Sequence, residues 1–331
     1  MDDSEFTWIA ELAARFGAGV LTDGLLGIGD DAAILPATSN WVVSADSQVS
    51  GVHFEPGWLS WQDLGRRLLH VGFSDIAAMG AEPKFALVSV EVGRQMTAQD
   101  RQFFADGIGL ACNDLTARLI GGNVSARSEG FSAHVTAIGS PRGKGPLLRS
   151  GARPGDALYV TGPLGDAAAG VAILRGEPST GSVGEEALAD AYRHPRAHWR
   201  EGLALAQADW VHAAIDVSDG LAADLGHLCA ASGVGAELSA EAIPLSEPLV
   251  GWCHDNGRDP LEFALGGGED YVLLFAADPD ETRERELRAR FGVFSGQIWR
   301  VGKITSDRQM KMIRAGEEEL LPPLGHDHLA R

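Results

Sequence analysis

Apolar and polar positions along this chain change period repeatedly, from alternation over short runs to recurrence every three or four residues. "WVVSAD", "KFALVSVEV", "ARLIGGN" and "FSAHVTAIG" predict strands, while residues 4–16 predict a short helix ahead of the glycine-punctuated "GLLGIGDDAAIL". "SWQDLGRRLLHVGFSDIAAMGA" predicts a longer helix that opens on Ser60, three residues before Asp63, as a capping box does. Its apolar residues Leu64, Leu68, Val71, Ala78 and Met79 share one face, and it is expected to end near Gly80. A second helix is expected from Thr97 through "AQDRQFFADGIGLACNDL".

The alternation resumes after a stretch rich in Gly, Pro and basic residues, "PRGKGPLLRSGARPGD". "ALYVTG" predicts a strand, a helix follows from about Gly165, "AAIDVSDGLAADLGHLCAAS" is a strand running into a helix, and "ALGGGEDYVLLFAA" is a glycine turn feeding a strand. The pattern therefore predicts an α/β protein of two units, residues 1–140 and 150–331, joined by a linker at about 141–149. There is no tandem repeat, although "GIGDDAAIL" and "GGGEDYVLLF" each run from glycine through acid to an apolar strand.

Composition narrows the chemistry. The 331 residues are 45% hydrophobic, enough for a large core, and 46 acidic against 27 basic residues give a formal charge of −19. That balance argues against a nucleic acid or an anionic membrane as partner. Lysine occurs only at Lys84, Lys144, Lys303 and Lys311, which argues against phosphate held by a lysine cluster and favours phosphate held through carboxylate-bound Mg²⁺. Cys112, Cys229 and Cys253 have no metal or disulfide spacing, and "MDDSEF" is acidic where a signal peptide is basic, which predicts a cytoplasmic protein.

The acids fall in telling places. Asp75 lies within the apolar stripe of its helix, where an ionised carboxylate has to be paired, protonated or bound to a cation. Asp30 and Asp31 follow two glycines, Asp46 and Asp216 end apolar strands, and Asp219 stands where a helix begins. Carboxylates at strand ends converge as ligands of hard cations do, although Ser218 and Asp219 would also serve as helix caps. Asn123, after Gly121 and Gly122, reads either as a ligand with an amide oxygen or as a turn residue. His53 reads as a hydrogen-bonded structural residue or a catalytic one, and Arg149 as a phosphate clamp or a solvated linker residue. "GSPRGKG" lacks Walker A spacing, and neither a G-x-G-x-x-G nor a G-x-S-x-G motif is found in a suitable context.

Taken in order, "GIGDDAAIL", "SADSQVSGVHF", "FSDIAAMGAEPKFALVSV", "RSGARPGDALYVTGPLGDAAAG", "DVSDGLAADLGHL" and "GGGEDYVLLF" resemble the thiamine-monophosphate kinase family, over residues 4 to 329. The resemblance implies a two-domain subunit with a four-stranded mixed sheet in each half, the N-terminal sheets pairing into a barrel across a homodimer. It implies Mg²⁺-dependent transfer of the ATP γ-phosphoryl group to thiamine monophosphate without a covalent enzyme intermediate. It assigns Asp30, Asp46, Ser47, Asp75, Asn123, Asp216 and Asp219 to metal, with Asp216 and Asp219 central to catalysis. Gly121, Gly122, Arg149 and Ser218 are assigned to the nucleotide, and His53, Glu269, Asp270 and His326 to the acceptor.

Four positions depart from the family's pattern: Asn123 for Asp, Gly72 for Asn, Val272 for Glu, and His326 for an aromatic residue. They keep two alternatives in view, an ATP-dependent enzyme with another small acceptor and a catalytically weakened nucleotide-binding dimer.

Overall fold

The computed structural model describes residues 33–35, 40–178, 183–294, 296–321 and 324–325. The helix expected at 4–16, Asp30, Asp31 and His326 lie outside the described residues. Among the described residues no helix is long and apolar enough to cross a membrane.

Two mixed sheets organise the chain. The first contains β1 (Ala33–Leu35), β2 (Trp41–Val49), β3 (Ala81–Gly93), β4 (Arg118–Arg127) and β5 (Phe131–Pro141), in the order β1-β2-β5-β3-β4. Only its β3–β4 pair is parallel. The second contains β6 (Ala157–Val160), β7 (Val211–Val217), β8 (Gly235–Ser239), β9 (Val272–Ala277), β10 (Trp299–Thr305), β11 (Met310–Arg314) and β12 (Glu317–Leu320), in the order β12-β11-β8-β10-β6-β9-β7. Among the described residues the sheets thus have five and seven strands rather than four each. β1 extends the first, and the C-terminal hairpin β11–β12 extends the second with charge-rich strands whose apolar signal is weak.

The helix α1 (Trp61–Ala78) starts as its sequence requires: Ser60 Oγ accepts from Asp63 N at 3.1 Å while the Asp63 carboxylate accepts from Ser60 N at 3.2 Å. Thr97 and Asp100 build the same box for α2 (Ala98–Leu115). α1 is buried far beyond a single stripe. Leu64, Leu68, Phe73 and Ile76 belong to the core of the first sheet, whereas Ala77 and Ala78 pack with Tyr159, Leu273 and Phe275 of the second. Gly72 lets the helix lie close to β5, since a Cβ there would come 2.4 Å from Val135 Cγ1.

The remaining helices are α3 (Asp166–Leu174), α4 (Val183–Arg193), α5 (Trp199–Ala206), α6 (Leu221–Ser232), α7 (Glu247–Asn256), α8 (Pro260–Gly266) and α9 (Glu281–Gly292). The segment between the sheets is anchored by α6, where Ser232 Oγ donates to the Arg149 carbonyl at 3.0 Å and accepts from Gly151 N.

Candidate active site

Where β2 and α1 face the ends of β7 and the glycine turn 266–268, the chain encloses a cleft of about 420 Å³. Asp46, Asp75, Asp216 and Asp219 all line it, as do Ser218, His53 and Glu269. The sequence pattern therefore brings four of its candidate acids to one place. Asp216 is 4% exposed at the end of β7 and accepts a hydrogen bond from the fully buried Ser74 of α1 at 2.6 Å. Asp75, one residue along, accepts from Ser44 of β2. Adjacent residues of one helix thus tie two elements beneath the cleft.

Burial and like charge both act on Asp46. Burial pushes the Asp46 carboxyl up to about 6; the backbone N–H of Ser47 opposes this, and the neighbouring Glu269 and Asp219 carboxylates add to it. A divalent ion would relieve that crowding, so these residues fit a Mg²⁺ site by donor type and by charge. The described cleft carboxylates do not by themselves close into a tight cage. Among the described residues the group of three whose ligand atoms lie within 4.8 Å of one another is Asp156, His212 and Asp278, outside the cleft. Open spacing leaves room for ligand oxygens from phosphate, the ordinary partners of Mg²⁺.

The start of α6 settles an ambiguity in the sequence. Neither Ser218 nor Asp219 caps it: the helix begins after Gly220, and Asp224, from inside the first turn, accepts from the N–H groups of both at 3.0 Å. This turn holds the Asp219 side chain at the cleft wall.

Other assigned residues go elsewhere. Because neighbours on a strand face opposite ways, Ser47 lies on the face of the first sheet away from Asp46. Its hydroxyl meets His134 Nδ1 at 2.7 Å. The register continues that row through Ser89 to Asn123, on the edge strand β4, about 14 Å from β2 by strand spacing. Asn123 is exposed and does not line the cleft. Nor is it in a turn: Gly121, Gly122 and Asn123 are paired strand residues, and Gly122 permits contact so close that a Cβ would sit 1.8 Å from the Val88 carbonyl oxygen. Asp270 does not line the cleft either; it accepts from Gly165 N at 2.8 Å and Ala167 N at 3.5 Å at the start of α3. Burial raises its carboxyl well above the ordinary range against the pull of those amides.

Two of the departures are packing residues. Gly72 admits Val135, and Val272, 4% exposed, lies in the core of the second sheet against Gly162.

The opposite wall carries residues that sequence reasoning passed over. Trp58 meets Tyr192 edge to face at 5.8 Å, Arg175 lies 5.8 Å over the Trp58 ring, and Tyr192 donates to the His53 carbonyl at 2.6 Å. Arg67, fully buried below them, is ion-paired to Glu269 and stacked 4.2 Å from the Tyr192 ring. Glu269 and Tyr271 are held with φ of 76° and 53°, left-handed values uncommon for such side chains and concentrated at functional sites. A signal for Arg67 was present, since it stands four and eight residues before Val71 and Asp75, on their helical face.

Comparison with known proteins agrees with this architecture. The N-terminal domain of AIR synthase related proteins matches residues 29–140, and the C-terminal domain of the same proteins matches residues 153–314. The thiamine-monophosphate kinase of Escherichia coli K12 is 35% identical over 330 residues, covering 98% of both chains. The solved structure of AaThiL complexed with AMPPCP and TMP superposes with a TM-score of 0.85 at 29% identity, covering 98% of this chain and 97% of that one. The thiamine-monophosphate kinase of Stenotrophomonas maltophilia K279a superposes with a TM-score of 0.75 at 34% identity, covering 95% and 97%.

Proposed function

Because the chain belongs to the thiamine-monophosphate kinase family, we propose that it transfers the γ-phosphoryl group of ATP to the phosphate of thiamine monophosphate, yielding thiamine diphosphate and ADP. The observation that carries this reading is the convergence of Asp46, Asp75, Asp216 and Asp219 on one cleft whose other wall is aromatic. The related structure of AaThiL complexed with AMPPCP and TMP supports binding of both a nucleotide and a phosphate acceptor.

The four aspartates would hold Mg²⁺, which supplies the positive charge that lets two phosphates approach each other. The acceptor is itself an anion, so no side chain has to remove a proton before attack. The protein's work is then binding and alignment. Asp216, fixed by Ser74, and Asp219, fixed by the turn that Asp224 closes, are the acids we assign to the reacting phosphates. His53, Trp58, Tyr192 and Arg175 are assigned to the acceptor, whose cationic ring system suits an aromatic wall. Two of the four departures, Gly72 and Val272, have a packing explanation, which weakens the case for a different acceptor.

We extend the proposal to a homodimer joined through the first sheet. The edge strand β4 leaves Leu119, Ile120 and Val124 47%, 54% and 75% exposed, an apolar edge of the kind that proteins cover. A division into an N-terminal nucleotide and dimerisation unit and a C-terminal α/β unit follows the two sheets. A cytoplasmic location accords with the free thiols of Cys112, Cys229 and Cys253.

The test is release of ADP from ATP and Mg²⁺ with and without thiamine monophosphate. Release that depends on the acceptor is expected. Release that ignores it, or nucleotide binding without release, would reject the reading.

A further inference from the structure

Three segments distant in sequence converge on one guanidinium. Arg67 is 0% exposed and yet carries a full charge. Its Nε donates to Gln48 Oε1 of β2 at 3.0 Å, one terminal nitrogen donates to the Tyr192 carbonyl at the end of α4, and the other pairs with Glu269 of the glycine turn. Its Cζ lies over the Tyr192 ring, 4.2 Å from the ring centroid. Gln48, Tyr192 and Glu269 all line the cleft, but Arg67 does not. Tyr271 also donates to Glu269 at 2.8 Å, so the carboxylate is gripped from two sides while its backbone is held at positive φ.

This arrangement is more than a stabilising ion pair. A buried pair gives little net stability, because desolvating both charges offsets their attraction. What a planar fork of five donors does provide is direction: it fixes three acceptors at set angles, where an ammonium would hold them as a point charge. Here those acceptors belong to both halves of the chain and to both sides of the acceptor wall.

We infer that Arg67 is a positioning residue that sets the acceptor wall, locking Glu269, Tyr192 and Gln48 into one geometry from beneath the cleft. The inference rests on the kinase reading for the identity of the acceptor, but the wall's geometry can be tested without it. Arg67→Lys keeps the charge while losing the planar fork and its stacking on Tyr192.

Amide hydrogen exchange on the full-length, ligand-free protein addresses the positioning directly. In Arg67→Lys the segments 190–194 and 268–271 should exchange about tenfold faster, with α2 unchanged. Steady-state kinetics should then show KM for thiamine monophosphate raised about tenfold, with KM for ATP within about twofold of wild type. Arg67→Gln, which keeps some hydrogen bonding but loses the charge, should be worse than Lys in both measurements. Unchanged exchange in 190–194 and 268–271 would overturn the inference whatever the enzyme's substrate. So would equal losses for both substrates accompanied by faster exchange throughout the chain, the mark of a purely structural residue. A wild-type protein that ignores thiamine monophosphate would instead reject the kinase reading and leave the exchange result to decide the role of Arg67.

Discussion

Ser74 of α1 donates a 2.6 Å hydrogen bond to Asp216 at the end of β7, so a helix of the first half grips a carboxylate of the second. Both groups are buried, at 0% and 4% exposure. Ser74→Ala leaves a buried carboxylate oxygen without that donor, which should cost about 1–3 kcal/mol. Chemical denaturation of the metal-free protein would measure it. A loss below a few tenths of a kcal/mol would show that Asp216 is held chiefly by other groups.

Acid should weaken the fold through two histidines. Burial and then the Arg66 charge hold His70 down to about 4, and burial and then Arg196 hold His198 well below its ordinary value. Both are therefore neutral when folded, whereas in the unfolded chain they take up protons near pH 6.5. Between about pH 4 and 6.5 the unfolded state binds more protons, so stability falls as pH is lowered through that window. Thermal melts should be flat for these groups above pH 7 and decline below 6.5, with a shallower decline in His70→Gln. An equal slope in the variant would contradict the assignment.

Gly72→Asn, which restores the residue usual in the family, should destabilise this particular chain. The new Cβ would meet Val135 Cγ1 at 2.4 Å, and overpacking of this kind costs about 1–3 kcal/mol. Pairing it with Val135→Ala should recover part of the loss, because the two changes share one space. Additive losses in the double variant would show that the contact is not the cause.

Asp224→Ala should loosen the loop that carries Asp219. Its carboxylate closes the turn by accepting from two backbone N–H groups, and leaving them without that acceptor should cost about 1–3 kcal/mol. The Mg²⁺ needed for half-maximal turnover should rise together with that loss. A stability change with no shift in the Mg²⁺ requirement would separate the turn from the site.

How far the sequence could be read is clearest on α1 and β2. The start of α1 was written in Ser60 and Asp63, and the oddity of an acid among its apolar positions pointed to the cleft, because burying a charge leaves a trace in any sequence. Strand parity leaves a weaker trace. Asp46 and Ser47 are adjacent letters on opposite faces, and only the pairing of β2 with β5 shows that Ser47 joins His134 and, across β3, Asn123. Asp270 was equally opaque: its neighbours suggest a site, while its partners, the amides of Gly165 and Ala167, stand about a hundred residues away. The hairpin β11–β12 carries so many charges that alternation alone does not reveal it.

The four-aspartate cleft is proposed to pass phosphate from ATP to thiamine monophosphate. The most direct test is a single turnover with γ-labelled ATP, Mg²⁺ and thiamine monophosphate, comparing wild type with Asp219→Asn. Label should appear in the terminal phosphate of thiamine diphosphate in step with ADP, and the variant should be slower by about a hundredfold or more, as expected when a metal-binding carboxylate loses its charge. Label released as free phosphate, or transfer at the wild-type rate in Asp219→Asn, would contradict the account.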